Sequence, residues 1–205
     1  MKPRRIGITQ RLDPVPGRDE QRDALDQRWP PLLWRLGLLA VPLGSGHADP
    51  AAYLAALALD GYLLSGGNDI GSAPGRDRLE TAVLDHAAAN RLPVFGVCRG
   101  LQFINHYQGG TCAPVAAHVA TRHAITGPLA GVRTLGAVNS FHGNAVLESG
   151  LGRDLEPLAY GPDGSIEALR HVNLPWLAIM WHPERELPAE HADLSLIQAH
   201  FEGTR

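Results

Sequence analysis

Short apolar runs alternate along the chain with longer segments whose apolar positions recur three and four residues apart. Residues 5–9, 38–42, 61–65 and 93–97 are compact, rich in β-branched residues or Leu, and bounded by Gly, Pro or Asp, the pattern of buried strands. Between them, residues 22–36, 50–59 and 76–90 have helical spacing. In the last of these, Leu79, Val83 and Leu84 share one face that Ala87 and Ala88 continue. Strand–helix alternation predicts a parallel sheet covered by helices. In the C-terminal third the rhythm changes. Residues 132–138, 155–160, 166–172 and 176–181 follow one another with Gly, Asp, Asn or Pro between them, and Gly161-Pro162-Asp163-Gly164 is a turn signal. These runs predict antiparallel strands, closed by a helix over 189–201. The expected fold is one α/β domain spanning residues 1–205, a mostly parallel central sheet flanked by helices with antiparallel strands near its end.

Composition narrows the class. At 44% apolar and 19% charged, the chain has the make-up of a soluble globular domain. A net charge of −3, from 18 Lys+Arg against 21 Asp+Glu, offers no electrostatic basis for binding nucleic acid. Two cysteines, Cys98 and Cys112, are too few for a disulfide scaffold and suit a reducing compartment. The first residues lack the apolar core of a signal peptide. The apolar stretch 32–43 is interrupted by Arg35, Gly37 and Pro42 and is too short to cross a bilayer. A cytoplasmic protein without a membrane segment is expected.

Candidate chemistry begins at Val94-Phe95-Gly96-Val97-Cys98-Arg99-Gly100-Leu101-Gln102. An apolar strand ends in small residues around a thiol and runs into Leu101–Tyr107, which is helical in pattern before Gly109-Gly110. Glycines on both sides allow a tight strand-to-helix turn that thrusts the side chain between them outward. The positive end of the helix dipole then favours thiolate. A lone Cys in such a place is more often a small buried hydrophobe; the paired glycines argue for a nucleophile.

A thiolate nucleophile needs a base and a group to orient that base. The strand Trp176-Leu177-Ala178-Ile179-Met180-Trp181 ends in His182-Pro183-Glu184, so His182 stands at a strand end and Glu184 can fix its tautomer. His142, in Val138-Asn139-Ser140-Phe141-His142-Gly143, ranks as a residue of the site wall, while His118, His123, His191 and His200 look like surface or boundary residues. Upstream, Tyr62-Leu63-Leu64-Ser65-Gly66-Gly67 is a strand opening into a turn whose amides, with that of Arg99, can receive an oxyanion.

These segments together resemble a class I glutamine amidotransferase domain. Arg99 after the cysteine, Arg76-Asp77 with Glu80, the Val138–His142 segment and Asp163-Gly164-Ser165-Ile166-Glu167-Ala168 make the chain similar to the free-standing γ-glutamyl hydrolases of that superfamily. The resemblance implies Cys98 as nucleophile, His182 as general base and then acid, and Glu184 as its orienting partner. It implies an oxyanion hole from the amides of Gly67 and Arg99, and a glutamyl pocket lined by Gln102, Asn139 and Ser140, with His142 in the wall. The implied reaction is hydrolysis of a γ-glutamyl amide through a thioester, with no metal or cofactor. Met180 departs from the family's usual Gln at that position. The segments Ile8–Arg11 and Arg22–Trp29 are more similar to the γ-glutamyl-CDP-amidate hydrolases of capsule phosphoramidate synthesis than to the γ-glutamyl-γ-aminobutyrate hydrolases. A glutaminase subunit feeding ammonia to a synthase is the alternative, and a homodimer stays open.

Three further readings complete the expectation. Residues 10–28 mix four Arg with five acids, a pattern usual for a solvated loop, but Arg11 or Arg28 could meet the phosphates of a nucleotide leaving group and Trp29 could stack on a base or anchor the core. Cys112 is expected to be a packed small residue. No metal site is expected, because His118 and His123 have no third ligand in register.

Overall fold

A computed structural model describes residues 2–129, 137–186 and 191–203. The chain opens with strand β1 (Arg4–Ile8), a hairpin of β2 (Arg11–Pro14) and β3 (Gln21–Ala24), helix α1 (Trp29–Arg35) and β4 (Leu38–Pro42). Helix α2 (Pro50–Leu57), β5 (Gly61–Leu64), α3 (Pro74–Asn90), β6 (Val94–Val97) and α4 (Arg99–Tyr107) follow. The remainder is β7 (Ala113–Pro114), β8 (Val119–Ala124), β9 (Ala137–Phe141), β10 (Asn144–Ala145), β11 (Leu155–Tyr160), β12 (Ile166–His171), β13 (Trp176–Ile179) and α5 (His191–Glu202).

The main sheet has seven strands in the order β11-β12-β13-β6-β5-β1-β4. Five neighbours, from β13 to β4, are parallel, and β12 and β11 extend the sheet by antiparallel pairing. The expected architecture is therefore the observed one. The parallel strands have continuous apolar cores because both faces are covered: β5 and β6 are buried at every position. On α3, Leu79, Val83, Leu84 and Ala87 are buried on the face the spacing marked. Helix α2 starts where Asp49 accepts a hydrogen bond from the Ala52 amide (2.9 Å) and stops where Ala58 turns left-handed.

One expected element is different. Residues 22–36 do not form one helix: Gln21–Ala24 is a strand paired antiparallel with β2, and the helix begins only at Trp29. Pro30 and Pro31 suit this start, because a proline in the first turn of a helix lacks only an amide that has no intrahelical partner there. The strand expected over 132–138 is described only from residue 137, where β9 begins, and its first part lies outside the described residues. Cys112 is exposed rather than packed.

The order of the strands decides where a site can form. From β1 the chain moves outward to β4 and then returns past β1 to place β5 on its other side. Neighbouring parallel strands whose connections leave in opposite directions open a crevice at their carboxyl ends. The segments after β5, β6 and β13 all end at that rim, and these are the Gly66, Cys98 and His182 segments.

Candidate active site

Cys98 follows β6 and precedes the first residue of α4, with its amide still donating to the Ile179 carbonyl (2.8 Å). Its φ of 53° and ψ of −104° are strained for a residue with a side chain. The turn is held by close packing on both sides. A Cβ on Gly96 would lie 2.8 Å from the backbone of Gly100, and one on Gly100 would lie 2.3 Å from the Leu64 carbonyl oxygen. The strand-to-helix elbow read from the sequence is thus the observed geometry.

His182 leaves β13 and is followed by a turn of 3-10 helix at Pro183–Arg185 that folds Glu184 back beneath the ring. His182 Nδ1 and Glu184 Oε1 are 2.6 Å apart, and both side chains are buried. Cys98 is the other neighbour that acts on the proton of this imidazole. Burial pulls the imidazole pKa down, but Cys98 and the Glu184 carboxylate outweigh it and raise the value to about 9. The ring therefore holds a proton at neutral pH beside the sulfur. The fold thus brings Cys98, His182 and Glu184 to one rim of the sheet.

Two further residues fix this pair. A Cβ on Gly66 would fall 2.7 Å from His182 Cε1 and 3.6 Å from Cys98 Cβ, so the backbone after β5 is the surface on which the imidazole rests. Asn139 clamps the His182 backbone from the other side: its Oδ1 accepts from the His182 amide (2.9 Å) and its Nδ2 donates to the His182 carbonyl (2.8 Å). Gly66 entered the sequence analysis only as part of a turn, and Asn139 only as a pocket residue.

A buried ion network sets the turns that carry Gly67 and Arg99. Arg76 donates to the Ser65 carbonyl (2.6 Å) and the Gly66 carbonyl (3.1 Å), and to Glu80 (2.9 Å). Glu80 also pairs with Arg99, which pairs in turn with Asp77 and lies over the Phe103 ring. Burial raises the Glu80 pKa, but the Arg76 and Arg99 charges more than offset that and hold the carboxyl below its ordinary value. The Arg99 side chain is thus committed inside the fold.

The crevice beside these groups holds about 250 Å³ and is lined by Arg11, Asp26, Trp29, Gly67, His182 and Arg185, among others. A larger hollow of about 730 Å³, near Lys2, Trp34 and Gln198, is lined by neither Cys98 nor His182. Of the side chains expected around a nucleotide, Arg11 lines the crevice, and Arg28 is held by Asp26 in two contacts of 2.5 and 2.9 Å. Trp29 also lines the crevice but is 1% exposed, which suits a core anchor better than a stacking surface for a base.

The expected glutamyl pocket is only partly assembled. Gln102 is buried and donates to the Asn144 carbonyl (2.8 Å). Ser140 is fully buried, donating to the His118 carbonyl (2.6 Å), and Asn139 is committed to His182. His142 is buried against His118 rather than at the crevice. Hydrogen bonding inside the fold takes up these groups, so the pocket expectation is not met for Ser140 and His142. His118 is buried as well, contrary to the surface reading, and His200 is packed against Phe95 and Phe201, where burial lowers its pKa to about 4. The side chain of His191 lies outside the described residues.

Comparison with known proteins agrees with this geometry. A γ-glutamyl-CDP-amidate hydrolase of Campylobacter jejuni is 32% identical over 188 residues, covering 88% of this chain and 90% of that protein. A γ-glutamyl-γ-aminobutyrate hydrolase of Escherichia coli K12 is 26% identical over 219 residues, covering 87% and 85%. A solved structure from Thermoplasma acidophilum, described as that of a GMP synthase subunit, superposes with a TM-score of 0.73 over 97% of this chain and 92% of its own at 18% identity, which establishes the shared fold. The Peptidase C26 family matches residues 6–184, and with an elbow cysteine and a histidine–glutamate pair on this sheet the chain belongs to that family of glutamine-amidotransferase-like γ-glutamyl hydrolases.

Proposed function

We propose that this protein hydrolyses a γ-glutamyl amide bond, with Cys98 as nucleophile, His182 as proton carrier and Glu184 as the group that orients it. The observation carrying this reading is an imidazole held to a buried carboxylate at 2.6 Å and set against the same Gly66 backbone as a strained elbow cysteine. The Cys98 sulfur attacks the γ-carbonyl, and the developing oxyanion is received by the amides of Gly67 and Arg99, each such donor contributing about 3 kcal/mol to the transition state. His182, protonated at rest, delivers its proton to the departing amine as the tetrahedral intermediate breaks. A water molecule, deprotonated by the now neutral His182, then attacks the thioester and releases glutamate.

The preferred substrate in this proposal is γ-glutamyl-CDP-amidate, with γ-glutamyl-γ-aminobutyrate next. Support comes from the Campylobacter relative and from Arg11 and Arg185, two guanidinium groups on the crevice wall that suit the anionic oxygens of a diphosphate. A substrate panel tests this choice. The expected outcome is a kcat/KM for the CDP-amidate conjugate well above that for the aminobutyrate conjugate, with Arg185→Ala raising KM only for the former. Equal effects of the substitution on both would remove the phosphate contact, and a preference for the aminobutyrate conjugate would reverse the assignment.

A further inference from the structure

Away from the elbow, the fold gathers three histidines and a glutamate that are scattered in the sequence. His118 and His123 come from the segment running into and along β8, His142 follows β9, and Glu167 is on β12. His118 Nδ1 and His142 Nε2 are 3.3 Å apart. Glu167 Oε1 lies 3.6 Å from His142 Nε2, 4.0 Å from His118 Nδ1 and 3.4 Å from His123 Nε2. His118, His142 and Glu167 are buried.

The outer hydrogen bonds fix the state of the rings. His118 Nε2 is 3.0 Å from an Asp163 carboxylate oxygen, and His142 Nδ1 is 3.0 Å from the Asn144 carbonyl. Both partners are acceptors, so each outer nitrogen is placed to donate its hydrogen to them. That bonding leaves the inner nitrogens free to present lone pairs to each other, with a carboxylate oxygen beside them. Glu167 Oε2 and His123 Nε2 are buried and, among the described residues, have no hydrogen-bond partner. Such a convergence of electron pairs calls for a cation in its centre.

We propose that this cluster is a binding site for one zinc-class divalent cation, ligated by His118 Nδ1, His142 Nε2 and Glu167, with His123 Nε2 as the fourth ligand. The edge of a tetrahedron with Zn–N bonds of about 2.0–2.1 Å is about 3.3–3.4 Å, against 3.3, 3.6 and 4.0 Å among His118, His142 and Glu167. Imidazole bonded outward to a carboxylate or a backbone carbonyl is the usual support for such ligands, because that bond fixes the tautomer and increases the basicity of the ligating nitrogen. Closed by four protein ligands, the site is structural. It fastens the β8–β9 hairpin to β12, and β9 carries Asn139, the clamp on His182. Sequence spacing hid the cluster because its members come from three separate segments.

The test is metal uptake by the whole chain, after chelation and dialysis, with Zn(II) and Co(II) as probes. The expected result is one equivalent of Zn(II) per chain, a rise in Tm on the order of 5–10 °C on reloading, and four-coordinate d–d absorption with Co(II). His123→Asn, at the rim of the cluster, and Glu167→Gln should each weaken uptake at least tenfold, while Cys98→Ser should leave it unchanged. The Co(II) spectrum of the unaltered chain keeps the proposal testable if those variants fail to fold. A thiolate-to-cobalt charge-transfer band would place the metal on a cysteine and overturn it. So would absence of uptake, which would mean that a shared proton holds the cluster, or uptake that survives both substitutions.

Discussion

Replacing Gly66 with alanine probes the contact that seats the imidazole. The added methyl would sit 2.7 Å from His182 Cε1, whereas carbon atoms settle at about 3.5–4.0 Å, so the ring must withdraw by about 1 Å. It has little freedom to do so. Glu184 holds Nδ1 at 2.6 Å, Asn139 clamps the backbone, and the Phe141 ring stands edge-on at 5.8 Å between centroids. A displacement of that size costs on the order of 100-fold in rate, or about 2.7 kcal/mol of transition-state stabilisation. Turning the ring away instead would weaken its charge-assisted bond to Glu184, worth about 1.5–3 kcal/mol. Gly66→Ala should therefore fold normally by circular dichroism and release glutamate from a γ-glutamyl conjugate about 100-fold more slowly. A folded variant within about threefold of the parent rate would refute the contact as a determinant of catalysis.

Other expectations follow from the same contacts. With the His182 pKa at about 9, against an ordinary 6.5, the ring stays protonated until the pH passes about 9, so kcat/KM should fall above that point. Glu184→Gln removes a cause of the rise and should move the fall to lower pH; an unmoved inflection would show that Glu184 does not set it. Because the folded value is the higher one, the stability this proton contributes is complete below about 6.5 and fades between 6.5 and 9 as the pH increases. Glu80→Gln leaves the buried Arg76 and Arg99 guanidinium groups without their shared carboxylate, and should cost about 3–5 kcal/mol in urea unfolding. A loss below about 1 kcal/mol would mean the network does not fix the turns at Ser65–Gly67 and Cys98–Gly100.

How legible these features were in the sequence depended on how local their causes are. The parallel strands were readable because each is a short, fully buried run, and the elbow because two close backbone approaches require Gly96 and Gly100. The hairpin β2–β3 was not, since its residues are mostly exposed and mixed in charge, and the weight of Pro30-Pro31 in starting α1 was missed. Cys98, His182 and Glu184 could be singled out because strand-end and turn motifs carry them. The fate of Ser140 and His142 could not, because it is set by neighbours on other segments: His118, Asn144 and Glu167. Gly66 illustrates the boundary, a turn residue in the sequence that acquires its importance only when β5, β6 and β13 become neighbours.

The most direct measurement is intact and peptide mass spectrometry after rapid acid quench of the enzyme turning over a γ-glutamyl conjugate. The account predicts a transient gain of one glutamyl group on the peptide bearing Cys98, none on that bearing Cys112, and loss of both adduct and hydrolysis in Cys98→Ala. Glutamate release at the parent rate from Cys98→Ala, or a glutamyl group carried on any other residue, would contradict it.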